Sequence, residues 1–211
     1  MKAPLPKNEV QRIKVLWQYE VLDTVPEQVF DELTALAALI CGAPIALITL
    51  VDENRQWFKS KVGVSLNETS RDVSMCAHAI LQNEMLIVPD ATKDRRFKDN
   101  PLVVSEPKIR FYAGAPLMTP DGHALGTLCV VDVVPRQLTD DEQQALQLLA
   151  NHVMTLLELR RHSLMRDDSK QMKKDLARAQ AEIARLNQGK AASPRKVRKP
   201  AVAKKAKRVR R

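Results

Sequence analysis

FYAGAPLMTPDGHALGTLCVVDVV, residues 111–134, holds two runs of strand-forming residues on either side of Thr119-Pro120-Asp121-Gly122. Proline presets the dihedral of a tight turn and glycine supplies positive φ, so the runs 111–118 and 123–134 are expected to return on each other as an antiparallel hairpin. Gly114 and Gly126 sit inside the two runs. A glycine there marks a bulge or a close approach of other backbone, whether at a pocket wall or in plain packing.

Downstream of the hairpin, Thr139-Asp140-Asp141-Glu142 has the capping-box pattern, and Ala145, Leu146, Leu149, Val153, Leu156 and Leu157 follow at helical spacing. A long helix is therefore expected. Upstream, residues 44–51 form an apolar run that suits a strand covered on both faces, and after the polar turn 52–55 residues 56–63 return as a second hairpin. Ser74 is placed to cap a short helix over 75–81, residues 85–88 read as a short strand ended by Pro89, and 90–108 as polar connection. Thr24-Val25-Pro26-Glu27 supplies a second capping-box pattern before the apolar stripe Val29, Phe30, Leu33, Leu36, Ala37 and Ile40, with Gly42 as a stop. Residues 9–19 place Val10, Ile13, Leu16 and Trp17 on one helical stripe facing a partner surface. Helices thus flank a block of short antiparallel strands, an α+β architecture.

The chain of 211 residues carries a net charge of +9, but residues 189–211 hold eleven Lys and Arg and no acid, so the remainder is slightly acidic. No apolar run approaches the roughly 20 residues of a membrane span, and residues 1–20 lack the apolar middle of a secretion signal. The expected location is the cytoplasm, where Cys41, Cys76 and Cys129, all in apolar settings, are reduced thiols.

The strings YEVLDT (19–24), PIALITLVD (44–52), RQWFKS (55–60), CAHAI (76–80), VPDA (88–91), RFYAGAPL (110–117) and LGTLCVVD (125–132) together resemble a GAF domain of the kind found in front of bacterial sensor kinases and cyclic-dinucleotide enzymes. The resemblance covers roughly residues 8–162. It implies a GAF/PAS-like central antiparallel sheet of about six strands, with the first and last helices on one face and a ligand pocket on the other. The division it suggests is a GAF domain over 1–162, a helical extension over 163–188 that resembles a weak coiled coil, and a disordered polybasic tail over 189–211.

GAF domains bind small molecules or dimerise, and the fold does not choose between these. The implied function is a non-enzymatic sensory module that binds an unidentified small molecule or relays a signal to a partner in trans through a homodimer of the flanking helices. No cofactor and no metal site is identified. Candidate pocket residues are Cys76, His78, Asp90, Arg110, Tyr112 and Asp132. Cys76 and His78, two apart on a helix, point to nearly opposite sides and do not form a couple with each other. Arg110 either contacts a ligand or pairs with Asp132 or Asp90 to order a loop.

Two alternatives remain. Some GAF proteins reduce free methionine sulfoxide with paired thiols, but Cys41 ends a helix, Cys129 lies mid-strand and Cys76 starts another helix, so the spacing argues against it. The other is a nucleic-acid-associated protein using Arg195, Lys196, Arg198, Lys199, Lys204, Lys205, Lys207, Arg208, Arg210 and Arg211. With no aromatic interleaved, only phosphate contact is available, and six such contacts give a slope of about −5 in log K against log salt.

Overall fold

The computed structural model of the protein describes residues 2–191, with side chains described outside 168 and 182–191. The cationic candidates from Arg195 to Arg211 lie outside the described residues. The chain divides into a unit Met1–Leu164 and a unit Met165–Arg211.

In the first unit, six antiparallel strands stand in the order β3-β2-β1-β6-β5-β4. They are β1 (Ile45–Val51), β2 (Arg55–Val62), β3 (Glu68–Ser70), β4 (Leu86–Val88), β5 (Phe111–Met118) and β6 (Ala124–Asp132). The helices are α1 (Glu9–Gln18), α2 (Gln28–Ile40), the single turns α3 (Cys76–Ala79) and α4 (Pro101–Val104), and α5 (Asp140–Ala191). The anticipated 111–134 hairpin is β5 and β6, paired from Phe111–Asp132 to Met118–Ala124. The turn α4 falls where the sequence suggests only connection, and the short strand β3 lies in a stretch given no element; α4 is capped by Asn100, whose side chain accepts from Leu102 N, with Pro101 as first helical residue.

Alternation along the central strands divides the core. Ala46, Ile48 and Leu50 of β1, Leu128 and Val130 of β6, and Phe111, Ala113, Ala115 and Leu117 of β5 face one side, packed with Leu16 of α1, Phe30 and Ala37 of α2, and Leu146, Leu149, Val153 and Leu157 of α5. Ile45, Leu47, Val51, Tyr112, Cys129 and Val131 face the other side, packed with α3, β4, Phe97 and Val103. Every residue of β1 is buried, Thr49 included, as expected of a largely apolar strand covered on both faces.

Two local expectations need correction. The capping box at Thr24 does not form: Glu27 is the N-cap and makes no side-chain cap bond, while the Thr24 hydroxyl donates to Val21 O at 2.7 Å and accepts from Lys59 Nζ. The box at Thr139 does form, with Glu142 N donating to Thr139 Oγ1 and Thr139 N donating to the Glu142 carboxylate. The stripe on α1 splits: Ile13 and Leu16 are buried, whereas Val10 and Trp17 are exposed, and Trp17 Nε1 donates to Asp52 at 3.2 Å. The last helix runs to Ala191. In the second unit, Met165, Met172 and Leu176 are exposed.

The buried side of α1 also carries Arg12, whose guanidinium grips the Glu9 carboxylate at 2.8 and 2.9 Å. Arg71, after β3, donates to the same carboxylate and to the carbonyl of Asp52 at 3.0 Å. Glu9 is thus the joint between the N-terminal helix and the far end of the β1–β2 turn. Burial acts to raise its pKa, but the hydrogen bonds and charges of Arg12 and Arg71 prevail and bring it from 4.5 down to about 2. A carboxyl depressed on folding contributes stability above its unfolded value and loses it as the pH falls through the folded one. Glu9→Gln is therefore expected to lose about 1–2 kcal/mol at neutral pH, after allowance for solvent around the cluster, and to flatten the decline of stability between pH 4.5 and about 2. Urea unfolding of both proteins across that range checks it.

Candidate functional site

On the sheet face opposite the long helices lies a cavity of about 110 Å³. Its floor is Ile45 and Leu47 of β1, Phe58 of β2 and Val131 of β6; its walls are Val64 and Leu66 from the β2–β3 connection, Met75 and Cys76 at the start of α3, Leu102 of α4, and Pro107 and Ile109 before β5. Four polar side chains interrupt this lining: Gln56, Thr69, Ser74 and Tyr112. Ser74 Oγ accepts from Ala77 N at 2.9 Å, capping the α3 turn as anticipated, and its hydroxyl donates to Gln56 Oε1. Thr69 Oγ1 is buried and has no hydrogen-bond partner among the described residues. An unsatisfied hydroxyl in an apolar wall is costly unless something else supplies the bond.

A wider depression of about 660 Å³ lies beside α2 and β2, lined by Asp23, Asp31, Lys59, Lys61 and Glu68 among others. Its charges are already engaged within the protein: Lys59 with Glu27, Asp23 and Glu68 with Arg55, Asp31 with the Ser60 hydroxyl, and Lys61 with the Ser65 carbonyl. With its charges paired in this way, some at the surface and Lys59 buried, the depression presents no charge left over for a ligand among the described residues.

At the inner end of the smaller cavity, Cys76 Sγ and Cys129 Sγ stand 3.8 Å apart. The Tyr112 hydroxyl donates to Cys76 Sγ at 3.3 Å, and Thr49 Oγ1 and Thr127 Oγ1 lie 3.1 Å from each other on the neighbouring strands. Gly114 permits the tyrosine contact: Tyr112 and Gly114 share a face, and a Cβ on Gly114 would lie 2.6 Å from Tyr112 Cζ. Burial opposes ionisation of Cys76, but hydrogen bonds from Cys129, Thr127, Thr49 and Tyr112 favour its thiolate and bring it below the ordinary thiol value. Cys129, hydrogen-bonded to Cys76 and buried, is held well above that value. Within the pair, the proton leaves Cys76 first. Cys41 is elsewhere, packed among the helices on the opposite face, and burial followed by the Glu142 charge pushes it up to about 11.

Of the six candidate pocket residues, only Cys76 and Tyr112 line the cavity. His78 is buried and sits edge-on to Phe97 with ring centroids 4.8 Å apart. Asp90 accepts from Thr92 and pairs with Lys93 at 3.0 Å. Arg110 pairs with neither Asp90 nor Asp132; one terminal nitrogen donates to the carbonyls of Val103, Lys108 and Ile109, tying down the loop before β5. Asp132 pairs instead with Arg136 at 3.0 Å and accepts from Val133 N and Val134 N at the end of β6. Asp90, Arg110 and Asp132 are loop and strand-end fasteners, because their polar ends find partners within the chain, whereas His78 packs within the α3 turn against Phe97.

The expectation that the cysteines lie apart is overturned. Cys129 pairs with Gly114 across the β5–β6 ladder, on the face where Tyr112 projects, and α3 covers that face. Residue parity was the available signal: Cys129 lies two from Thr127 and from Val131, out of step with Leu128 and Val130. Gln56, Thr69 and Ser74 were also missed as cavity residues, since they come from separated segments. Among the described residues no group of three or more His, Cys, Asp or Glu is arranged to hold a metal ion, and no helix is long and apolar enough to cross a membrane.

This arrangement of sheet and flanking helices is shared with known proteins. The chain is 42% identical over 161 residues to a cyclic di-GMP phosphodiesterase of Pseudomonas aeruginosa, a match covering 76% of this chain and 27% of that protein, so it spans only about a quarter of the relative's length. The GAF domain of a phosphoenolpyruvate-protein phosphotransferase from Coxiella burnetii superposes with a TM-score of 0.55 at 17% identity, over 74% of this chain and 98% of that one. A type II free methionine-R-sulfoxide reductase from Thermoplasma acidophilum superposes with a TM-score of 0.52 at 11% identity, over 62% and 90%, which is a likeness of fold. The GAF domain model matches residues 25–157, most of the folded unit, and the chain belongs to the GAF domain family.

Proposed function

We propose that the chain is a regulatory module that senses a small, largely apolar molecule in the cavity between Leu47, Leu102, Ile109 and Val131, and passes the change to a second copy through its helices. The observation that carries this reading is the cavity itself, with the unpartnered Thr69 hydroxyl in its wall. At about 110 Å³ it is below the usual range of drug-sized pockets, about 300–1,000 Å³, and close to the engineered cavities that hold benzene. A ligand of a few heavy atoms with one hydrogen-bonding group fits both size and lining.

For the relay, α2 carries exposed Val29, Leu36 and Ile40 along one line, at spacings of seven and four, with Leu39 beside it; α5 adds exposed Leu148 and Leu159. These apolar positions are suited to a helical interface between copies.

Native mass spectrometry of the full chain against small neutral molecules, with Val131→Phe as the filled-cavity control, tests the sensing. Retention of benzene or a similar molecule by the wild type and loss in the variant is expected; equal behaviour of the two contradicts the site. Light scattering at tens of micromolar tests the relay, for which a dimer is expected and a strict monomer is the contrary result.

A further inference from the structure

We infer that Cys76 and Cys129 form a peroxide-reactive dithiol that closes to an intramolecular disulfide at the inner end of the cavity. This goes beyond the sensing proposed above, and rests on it only in requiring that small molecules reach the cavity from solvent.

The two sulfurs are in van der Waals contact at 3.8 Å, and bond formation asks for an approach to about 2.05 Å. Both side chains also line the cavity, which gives a small oxidant a path to groups that are otherwise almost fully buried. The surroundings make the two sulfurs unequal. Tyr112 donates to Cys76 Sγ, and this sulfur is the one favoured as thiolate; Cys129 retains its proton. Cys76 is thus the attacking sulfur and Cys129 the resolving one. Cavity size selects the oxidant: about 110 Å³ accommodates hydrogen peroxide, little larger than water, and not a glutathione-sized disulfide.

In the first step the Cys76 sulfur attacks one peroxide oxygen, the O–O bond breaks, and the departing hydroxide takes up the proton released by Cys76 and leaves as water. Cys76 becomes a sulfenic acid. The Cys129 sulfur then attacks the Cys76 sulfur, the S–O bond breaks, and the second hydroxide takes the Cys129 proton. Two thiols and one peroxide give one disulfide and two waters, the two sulfurs supplying both electrons. The new bond ties the α3 turn to the centre of β6 and alters the wall of the cavity in which both residues stand.

The test treats the reduced full chain with hydrogen peroxide under native conditions, then alkylates free thiols and maps the peptides by mass spectrometry. A loss of two hydrogens, localised to a Cys76–Cys129 cross-link and retained in Cys41→Ser, is expected. Cys129→Ser is expected to stop at an oxidised Cys76 that dimedone traps once the protein is unfolded. Oxidised glutathione is expected to react at least about tenfold more slowly than peroxide, because access to a buried thiol limits it. Full alkylation of both cysteines after peroxide, or a disulfide through Cys41 alone, overturns the proposal; so does reaction with oxidised glutathione as fast as with peroxide. Benzene binding to the reduced protein is read separately: binding with unreactive thiols leaves sensing intact and removes the dithiol, whereas a cross-link without benzene binding does the reverse.

Discussion

Gly126→Ala is expected to destabilise the protein by about 3 kcal/mol or more, the largest effect of any single methyl added to the sheet. At Gly126 the β6 backbone passes β1 so closely that a Cβ would overlap Thr49 O and lie 2.7 Å from the Thr49 carbonyl carbon and 2.8 Å from Leu50 Cα. These are backbone atoms of the central strand pair, with Leu50 aligned to Gly126, so no side-chain rotation relieves the overlap. The strands must separate or the ladder must shift, and Leu50, Leu125 and Leu128 beside the site are fully buried. Chemical denaturation measures the loss. A control at Gly122, where a Cβ meets nothing within 4 Å but φ is +77°, carries backbone strain alone and is expected to cost about 1 kcal/mol.

Glu27→Ala is expected to cost about 2–3 kcal/mol through the charge it leaves behind rather than the contact it removes. The Lys59 side chain is 0% exposed, and its ammonium has Glu27 Oε1 at 2.6 Å, Thr24 Oγ1 at 2.9 Å and Val25 O at 3.0 Å, with the Phe30 ring centroid 5.2 Å away. Arg160 shares the same carboxylate oxygen at 2.7 Å. Without Glu27 the buried ammonium keeps neutral acceptors only. The cost falls short of that of a wholly isolated charge because a third of the Glu27 side chain, 33%, reaches solvent. Lys59→Met removes the charge and keeps the apolar stem, so the double variant Glu27→Ala with Lys59→Met is expected to be more stable than Glu27→Ala alone. Additive losses in urea titrations would show that the pair does not act as a unit.

Periodicity and turn chemistry made much of the fold legible. Thr119-Pro120-Asp121-Gly122 located the β5–β6 hairpin, and the apolar run at β1 marked a strand covered on both sides, because each rule depends on neighbours in the chain. The strand β3 escaped because Glu68, Thr69 and Ser70 have no apolar alternation; it is held by pairing with β2. Thr24 misled because Lys59, 35 residues away, competes for the hydroxyl that a cap would use.

The site was less legible. Cys76, His78, Asp90, Arg110, Tyr112 and Asp132 all stand in the strings that carry the family resemblance, but only Tyr112 and Cys76 reach the cavity. The partners of the other four turned out to be the Phe97 ring, Lys93, loop carbonyls and Arg136, contacts set by tertiary geometry. The mid-strand setting of Cys129 and the helical start at Cys76 speak for separation, although the parity of Cys129 on β6 already places it with Thr127 and Val131. What these local settings concealed, the antiparallel register supplied: β5 and β6 bring Tyr112 and Cys129 to one face, and the α3 turn lowers Cys76 onto it.

Methyl-resolved NMR of the reduced full chain titrated with benzene tests most directly whether the sheet's two faces are divided between a helical core and a binding cavity. Shifts confined to the methyl groups of Leu47, Leu102, Ile109 and Val131, with Leu146, Val153 and Leu157 unmoved, are the expected result. No saturable shift at all, or shifts centred on the helix-covered face, would contradict it.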